Sequence, residues 1–147
     1  MIDISKLSNR YSVRILEEAD IEMLVEICKQ NTVFYEYTEA RPTNENILDD
    51  MKATPPGIDM QDKYYFGFFD GRELVAMNPQ YQGKQIGTAI IDEVIDYLLS
   101  TGKTSVRLAI DKGNPQSTHF LKKNGFDVLS EADVNGWTKL VEERKLP

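Results

Sequence analysis

The stretch Gln82-Gly83-Lys84-Gln85-Ile86-Gly87-Thr88-Ala89 constrains the rest of the chain more than any other. A turn with glycines at 83 and 87 runs into Ile86, Ala89, Ile90, Val94, Tyr97 and Leu98. Steps of three and four are the period of a helix that buries one face. Small residues at the mouth of such a helix leave its first backbone N–H groups within reach of a ligand. The helix N-terminus also carries partial positive charge. Together these properties suit a phosphate or pyrophosphate. An ordinary turn before a core helix has the same pattern, so the rest of the chain decides.

The length, 147 residues, favours one domain. With 41% hydrophobic and 28% charged residues, the chain can bury a core without disulfides or a metal. Its one cysteine, Cys28, excludes an internal disulfide. Cys28 lies on the apolar stripe Ile21, Leu24, Val25, Cys28, which favours a buried structural thiol over a nucleophile. No apolar run approaches ~18 residues, so no membrane span is expected. Nor does the N-terminus show a basic-then-apolar signal pattern. A cytoplasmic protein is expected. Acidic residues outnumber basic ones 24 to 17, a net charge of −7. That disfavours broad binding to nucleic acid or anionic membrane, which needs basic surface.

Residues 11–16 alternate as a first strand, and residues 17–30 carry the apolar stripe of a first helix. Residues 31–40 hold Phe34, Tyr35 and Tyr37 around Glu36 without a clean period. Either these aromatics pack on the core or they wall a substrate pocket, and neither reading is favoured. Thr43 is placed to cap a second helix, with Ile47, Leu48 and Met51 as its apolar face. The run Thr54-Pro55-Pro56-Gly57 stops it. An aromatic strand at 64–69, the turn Asp70-Gly71 and a return strand at 73–77 form a hairpin. After the central helix, Thr101-Gly102-Lys103 is a C-terminal stop. A strand follows at 105–110. Asn114-Pro115 then opens a helix to about Lys123, ended by Asn124-Gly125. Two terminal strands are expected at 126–129 and 137–143, joined by a polar connection at 130–136.

Mixed strands and helices imply an α/β or α+β domain. Here two blocks carry a resemblance. Gln82-Gly83-Lys84-Gln85-Ile86-Gly87 resembles the Q/R-x-x-G-x-G/A acyl-CoA signature of the GCN5-related N-acetyltransferase (GNAT) family. Asn114-Pro115-Gln116-Ser117, Phe120 and Lys123-Asn124-Gly125-Phe126 resemble that family's second block, in the expected order and separated by a strand. The resemblance spans nearly the whole chain. It implies a GNAT-like, mixed, mostly antiparallel sheet flanked by helices, as one acetyltransferase domain over 1–147. It also implies acetyl-CoA as acyl donor, with no metal. Carried over residue by residue, Gln82, Gly83, Lys84, Gln85, Ile86, Gly87 and Thr88 line the pyrophosphate. Met77 ends the strand that pairs with the pantetheine arm. Asn114 matches an asparagine that hydrogen-bonds the cofactor, and Ser117 lies one turn on. Plain alternatives stand beside these: a helix cap for Asn114, and a solvated helix residue for Ser117. For Lys84 a solvated side chain is favoured over a direct salt bridge.

Three departures bear on the chemistry. Gln85 stands where the family has glycine, and a side chain there narrows access unless its φ is negative and it points outward. Leu121 stands where many members have the tyrosine that protonates the leaving thiolate, and leucine cannot donate a proton. Finally, the family has a separate strand before the signature, often carrying the glutamate that deprotonates the amine. Here only one strand's worth of residues separates Gly71 from Pro79, a shortfall on the order of 15 to 20 residues. Either an internal stretch of the protein is lacking from this sequence near Ala76-Met77, the favoured reading, or a real deletion leaves a damaged or inactive relative. An intact mass above 16.8 kDa supports the first; a matching mass sinks it.

The leading reading is acetyl transfer from acetyl-CoA to an amine by direct attack. The alternative is a non-catalytic acyl-CoA-binding or regulatory module. The acceptor is a small-molecule or peptide amine, and a homodimer through the terminal strands is conceivable. No catalytic residue is assigned. Glu36 is a candidate for amine recognition, though a solvated loop carboxylate is favoured. His119, the sole histidine, is favoured as a packed or surface residue over a base.

Overall fold

Aromatic residues and one bidentate ion pair organise the N-terminal unit. The computed structural model describes residues 1–32, 36, 41–54, 57–75, 79–134 and 137–147, with side chains at all of these except 134 and 137. The chain divides into two compact units, one of Met1–Thr32 with Ala40–Gly87, the other chiefly Thr88–Pro147.

In the first unit, β1 (Ser12–Ile15) buries Val13 and pairs antiparallel with β2 (Phe66–Asp70), Val13 opposite Phe68. Phe68 and Phe69 supply the apolar bulk. The Asp70-Gly71 turn sends the chain into β3 (Glu73–Leu74), and Val75 continues the ladder through N–H to the Phe68 carbonyl at 2.8 Å. α1 (Ile21–Gln30) buries Ile21, Leu24, Val25 and Cys28, the stripe read from the sequence. The helix does not begin at residue 17. Glu18–Asp20 is a tight 3-10 turn instead. Asp20 fixes it by accepting the Glu17 N–H at 2.9 Å and two Arg14 N–H bonds at 2.8 Å. Hydrogen bonding to that guanidinium holds the Asp20 carboxyl below its usual range. α2 (Asn44–Lys52) starts as expected, with Thr43 Oγ1 accepting the Asn46 N–H at 3.1 Å, and it packs on α1.

α3 (Ile86–Ser100) begins in the first unit and continues into the second. It ends on a Schellman motif: the Lys103 N–H reaches the Leu98 carbonyl at 3.1 Å, and the Gly102 N–H reaches Leu99 at 3.0 Å. β4 (Ser105–Asp111), α4 (Pro115–Lys123), β5 (Asp127–Val134) and β6 (Trp137–Lys145) complete the second unit. Its antiparallel sheet runs β4-β6-β5. One face carries polar cross-strand pairs, Arg107 with Glu143 and Asp111 with Lys139. On the other, Glu142 is 2% exposed opposite Leu108 and Val128. Desolvation, then the Asp127 charge, pushes its carboxyl up.

The polar connection expected at 130–136 is largely strand. β5 continues through Val134 after a register shift between Val128 and Ser130. Composition misled because this is an exposed edge held by its ladder, by Lys112 on Glu131 at 2.5 Å and by Thr138 Oγ1 on Asp133 at 3.1 Å. The mixed α/β architecture, antiparallel strands with flanking helices, is the one the resemblance implies. Its extra strand before the signature has no counterpart among the described residues between β3 and α3. Residues 76–78, and with them Met77, lie outside the described residues, as do Phe34, Tyr35 and Tyr37. No helix among the described residues is long and apolar enough to cross a membrane.

Candidate functional site

The glycine turn comes first because its geometry is local. A 3-10 turn, Pro79–Tyr81, leads in, and its Pro79 carbonyl accepts the Gln82 N–H at 3.1 Å. Gly83 then takes φ +73° and Gln85 φ +59°. These two left-handed residues swing the chain into α3. Gln82, Gly83, Lys84, Gln85 and Gly87 are exposed, while Ile86 and Thr88 are half-buried. Residues 82–85 are turn backbone that lies at the surface ahead of α3. The first turn of α3 carries no acidic side chain to repel an anion. An exposed, positively polarised N-terminus of a 15-residue helix is chemically fit for a phosphate group.

Gln85 does not take the negative φ that would make its side chain harmless. The left-handed conformation costs a non-glycine residue about 1–2 kcal/mol. Gln85→Gly should therefore stabilise the protein by about 1 kcal/mol net of glycine's freedom in the unfolded chain, raising the melting temperature by about 2–4 °C. A calorimetric scan checks it.

The turn is tied to β3. Glu73 accepts the Tyr81 hydroxyl at 2.7 Å and also the Gln80 side-chain amide. That bond to Glu73, followed by burial and nearby negative charge, pushes the Tyr81 phenol up to about 12. The Lys84 ammonium sits over the Tyr81 ring, 5.8 Å from its centroid, so it is placed by a ring as well as by solvent. Sequence reading missed Glu73 and Tyr81 because nothing in their spacing announces the pair.

In the second unit, Asn114 is the cap of α4. Its Oδ1 accepts the N–H groups of Gln116 at 3.1 Å and Ser117 at 3.2 Å, and the residue is 1% exposed. Ser117 is half-buried with its N–H held in this cap. His119 is exposed, as is Glu36. Leu121 is 5% exposed and belongs to the core, where it has no proton to give. At the far end of α4, Gly125 at φ +81° lets the Phe126 N–H reach the Leu121 carbonyl at 3.0 Å. Asn124 Nδ2 donates to the Phe120 carbonyl at 2.8 Å and to Thr88 Oγ1 at 3.4 Å. The second block thus touches the first turn of α3 through Asn124, a link that the sequence motif does not reveal.

A cleft of about 570 Å³ in the first unit is lined by the starts of α1 and α2, with Glu18, Glu22 and Glu45 among its walls. Glu18 is met by Lys52 at 3.5 Å. Carboxylates so placed suit a cationic guest better than an anion.

Comparison with known proteins gives the same direction. The acetyltransferase (GNAT) family pattern matches residues 58–126. An uncharacterised N-acetyltransferase of Methanocaldococcus jannaschii is 24% identical over 114 residues, 74% of this chain and 50% of that protein. Thialysine N-epsilon-acetyltransferase of Bos taurus is 32% identical over 80 residues, 50% of this chain and 46% of that protein. The alignments thus span about half the length of these curated relatives. In fold, the chain resembles spermidine N-acetyltransferase from Vibrio cholerae, solved in complex with CoA and spermine. The TM-score is 0.62 at 14% identity, covering 95% of this chain and 97% of that one. Motif blocks, the family pattern over residues 58–126 and the architecture agree in their likeness to the GCN5-related N-acetyltransferase family.

Proposed function

We propose that residues 1–147 act as one acetyltransferase domain that moves an acetyl group from acetyl-CoA to an amine. One observation carries this reading: an exposed turn, left-handed at Gly83 and Gln85, leads into a 15-residue helix with no acid in its first turn. The residues fit a diphosphate. Gly83, Lys84, Gln85, Ile86, Gly87 and Thr88 would supply backbone N–H groups, with Gln82 leading in. Lys84, over the Tyr81 ring, adds a positive charge at the rim. Met77 is carried as the pantetheine contact on the resemblance alone. Asn114 and Ser117 are likewise carried as cofactor contacts on the resemblance alone.

In the reaction, the neutral amine nitrogen attacks the thioester carbonyl and a C–N bond forms. The tetrahedral intermediate collapses, the C–S bond breaks, and the thiolate leaves. The ammonium proton passes to solvent, and water protonates the thiolate, since Leu121 cannot. Most of the acceleration then comes from holding both reactants in one geometry. The acidic cleft supports an amine as acceptor, as do relatives named for thialysine and spermidine.

The decisive experiment is a thiol-release screen with acetyl-CoA against polyamines, lysine analogues and peptide N-termini, with CoA binding measured by calorimetry alongside. Thiol release with at least one amine is expected. Binding without release would favour the second reading, a non-catalytic acyl-CoA module, which the buried Leu121 and the short β3 region support. Absence of CoA binding overturns both.

A further inference from the structure

Only residues 75–78 separate β3 from the 3-10 turn at Pro79–Tyr81. Across that short connection a single carboxylate reaches the turn. Glu73 takes one hydrogen bond from the Tyr81 hydroxyl at 2.7 Å and another from the Gln80 side chain. Its own position is set by the hairpin, where it pairs with Asp70, and by the bond from the Val75 N–H to the Phe68 carbonyl. The chain therefore runs from a sheet register, through one side chain, to the residues that introduce Gly83. Beyond Tyr81, Lys84 rests over the same ring.

We propose that Glu73 is the positioning residue of the anion-binding turn, clamping Gln80 and Tyr81 so that the N–H groups from Gly83 to Thr88 and the Lys84 ammonium are held at one place. The clamp touches no ligand. What the turn holds rests on the acyl-donor reading; that the turn is held does not. Each contact is exposed and modest alone. Two donors converging on one charged acceptor restrict the turn more than either does singly.

The test compares wild type, Glu73→Gln, Glu73→Ala, Tyr81→Phe and the Glu73→Ala/Tyr81→Phe double variant. Thermal melts establish that each is folded. Backbone relaxation reads the order of the Gly83 and Gly87 amides without any ligand. Calorimetry reads CoA affinity. In Glu73→Ala the amide order parameters should fall from rigid values of about 0.85 to below about 0.6. Its CoA affinity should fall about tenfold, the loss appropriate to hydrogen bonds with a charged acceptor. Glu73→Gln keeps an acceptor oxygen and should stay within about threefold of wild type. Tyr81→Phe should add little on top of Glu73→Ala, because Glu73→Ala already removes the one bond that Tyr81→Phe would break.

A titration gives a readout that bulk alone would not move. The clamp uses the neutral phenol, whose value is raised in the folded protein to about 12. Its contribution is full below the ordinary tyrosine value of about 10 and is lost as pH climbs through about 12. Wild-type turn order should step down over that window, and Tyr81→Phe should show no step. Amides as ordered in Glu73→Ala as in wild type overturn the inference, whatever CoA does. Loosened amides in a protein that never binds CoA support the clamp and sink the acyl-donor reading instead.

Discussion

Replacing Gly87 by aspartate is expected to weaken CoA binding about 100-fold while leaving the melting temperature within about 2 °C of wild type. The two halves of this expectation have separate causes. Gly87 is the second residue of α3. Aspartate is a better helix residue than glycine, and at a helix N-terminus its charge is favourable by about 0.3–1 kcal/mol. Folding has no reason to suffer. A bound diphosphate meets the opposite situation. Two like charges about 4–5 Å apart at an effective dielectric near 20 repel by about 3–4 kcal/mol. After partial screening by solvent, about 2.7 kcal/mol is a factor of about 100 in affinity. Gly87→Asn has nearly the same shape without the charge, and its loss should stay within about fivefold. Calorimetry on the three proteins checks this. Equal affinity in Gly87→Asp and wild type would place the diphosphate elsewhere.

The same turn shows what sequence could and could not supply. Period-three and period-four apolar spacing locates α3, because burying a stripe is a property of the residues themselves. Thr43 and Asn114 mark helix starts for the same reason: their side chains satisfy N–H groups two or three residues on. Ser130 to Val134 were misread because an exposed edge strand owes its form to its partner β6, which composition cannot express. Residues 17–20 were misread because Arg14, on another element, takes Asp20. At the site, the signature resemblance named the residues of the turn. Its one hint that Gln85 is left-handed is the glycine that the family has at this place, since glycine is the residue that takes positive φ freely. Glu73, by contrast, was invisible. Its distance from Tyr81 depends on how β3 ends, and no side-chain pattern encodes that.

Asn114 separates a scaffold role from a contact role, and Asn114→Ala is expected to lower the melting temperature by about 6 °C. The side chain is 1% exposed and satisfies two N–H groups of α4. Removing a cap costs about 1 kcal/mol, and stranding buried donors raises the figure to about 2 kcal/mol. At this chain length that is about 6 °C. The loss should also reach the glycine turn's helix. An α4 freed at its start holds Asn124 less firmly at its other end, and Asn124 donates to Thr88 in the first turn of α3. CoA affinity in Asn114→Ala should therefore fall by several-fold. Asn114→Ser discriminates. Serine caps as well as asparagine, so most of the stability should return, yet it has no amide to offer a ligand. Because Oδ1 is already engaged by Gln116 and Ser117, Asn114→Ser should bind CoA within about threefold of wild type. A tenfold loss in Asn114→Ser at near-normal melting temperature would mean that the amide itself meets the acyl donor, and that α4 rearranges its cap to let it do so.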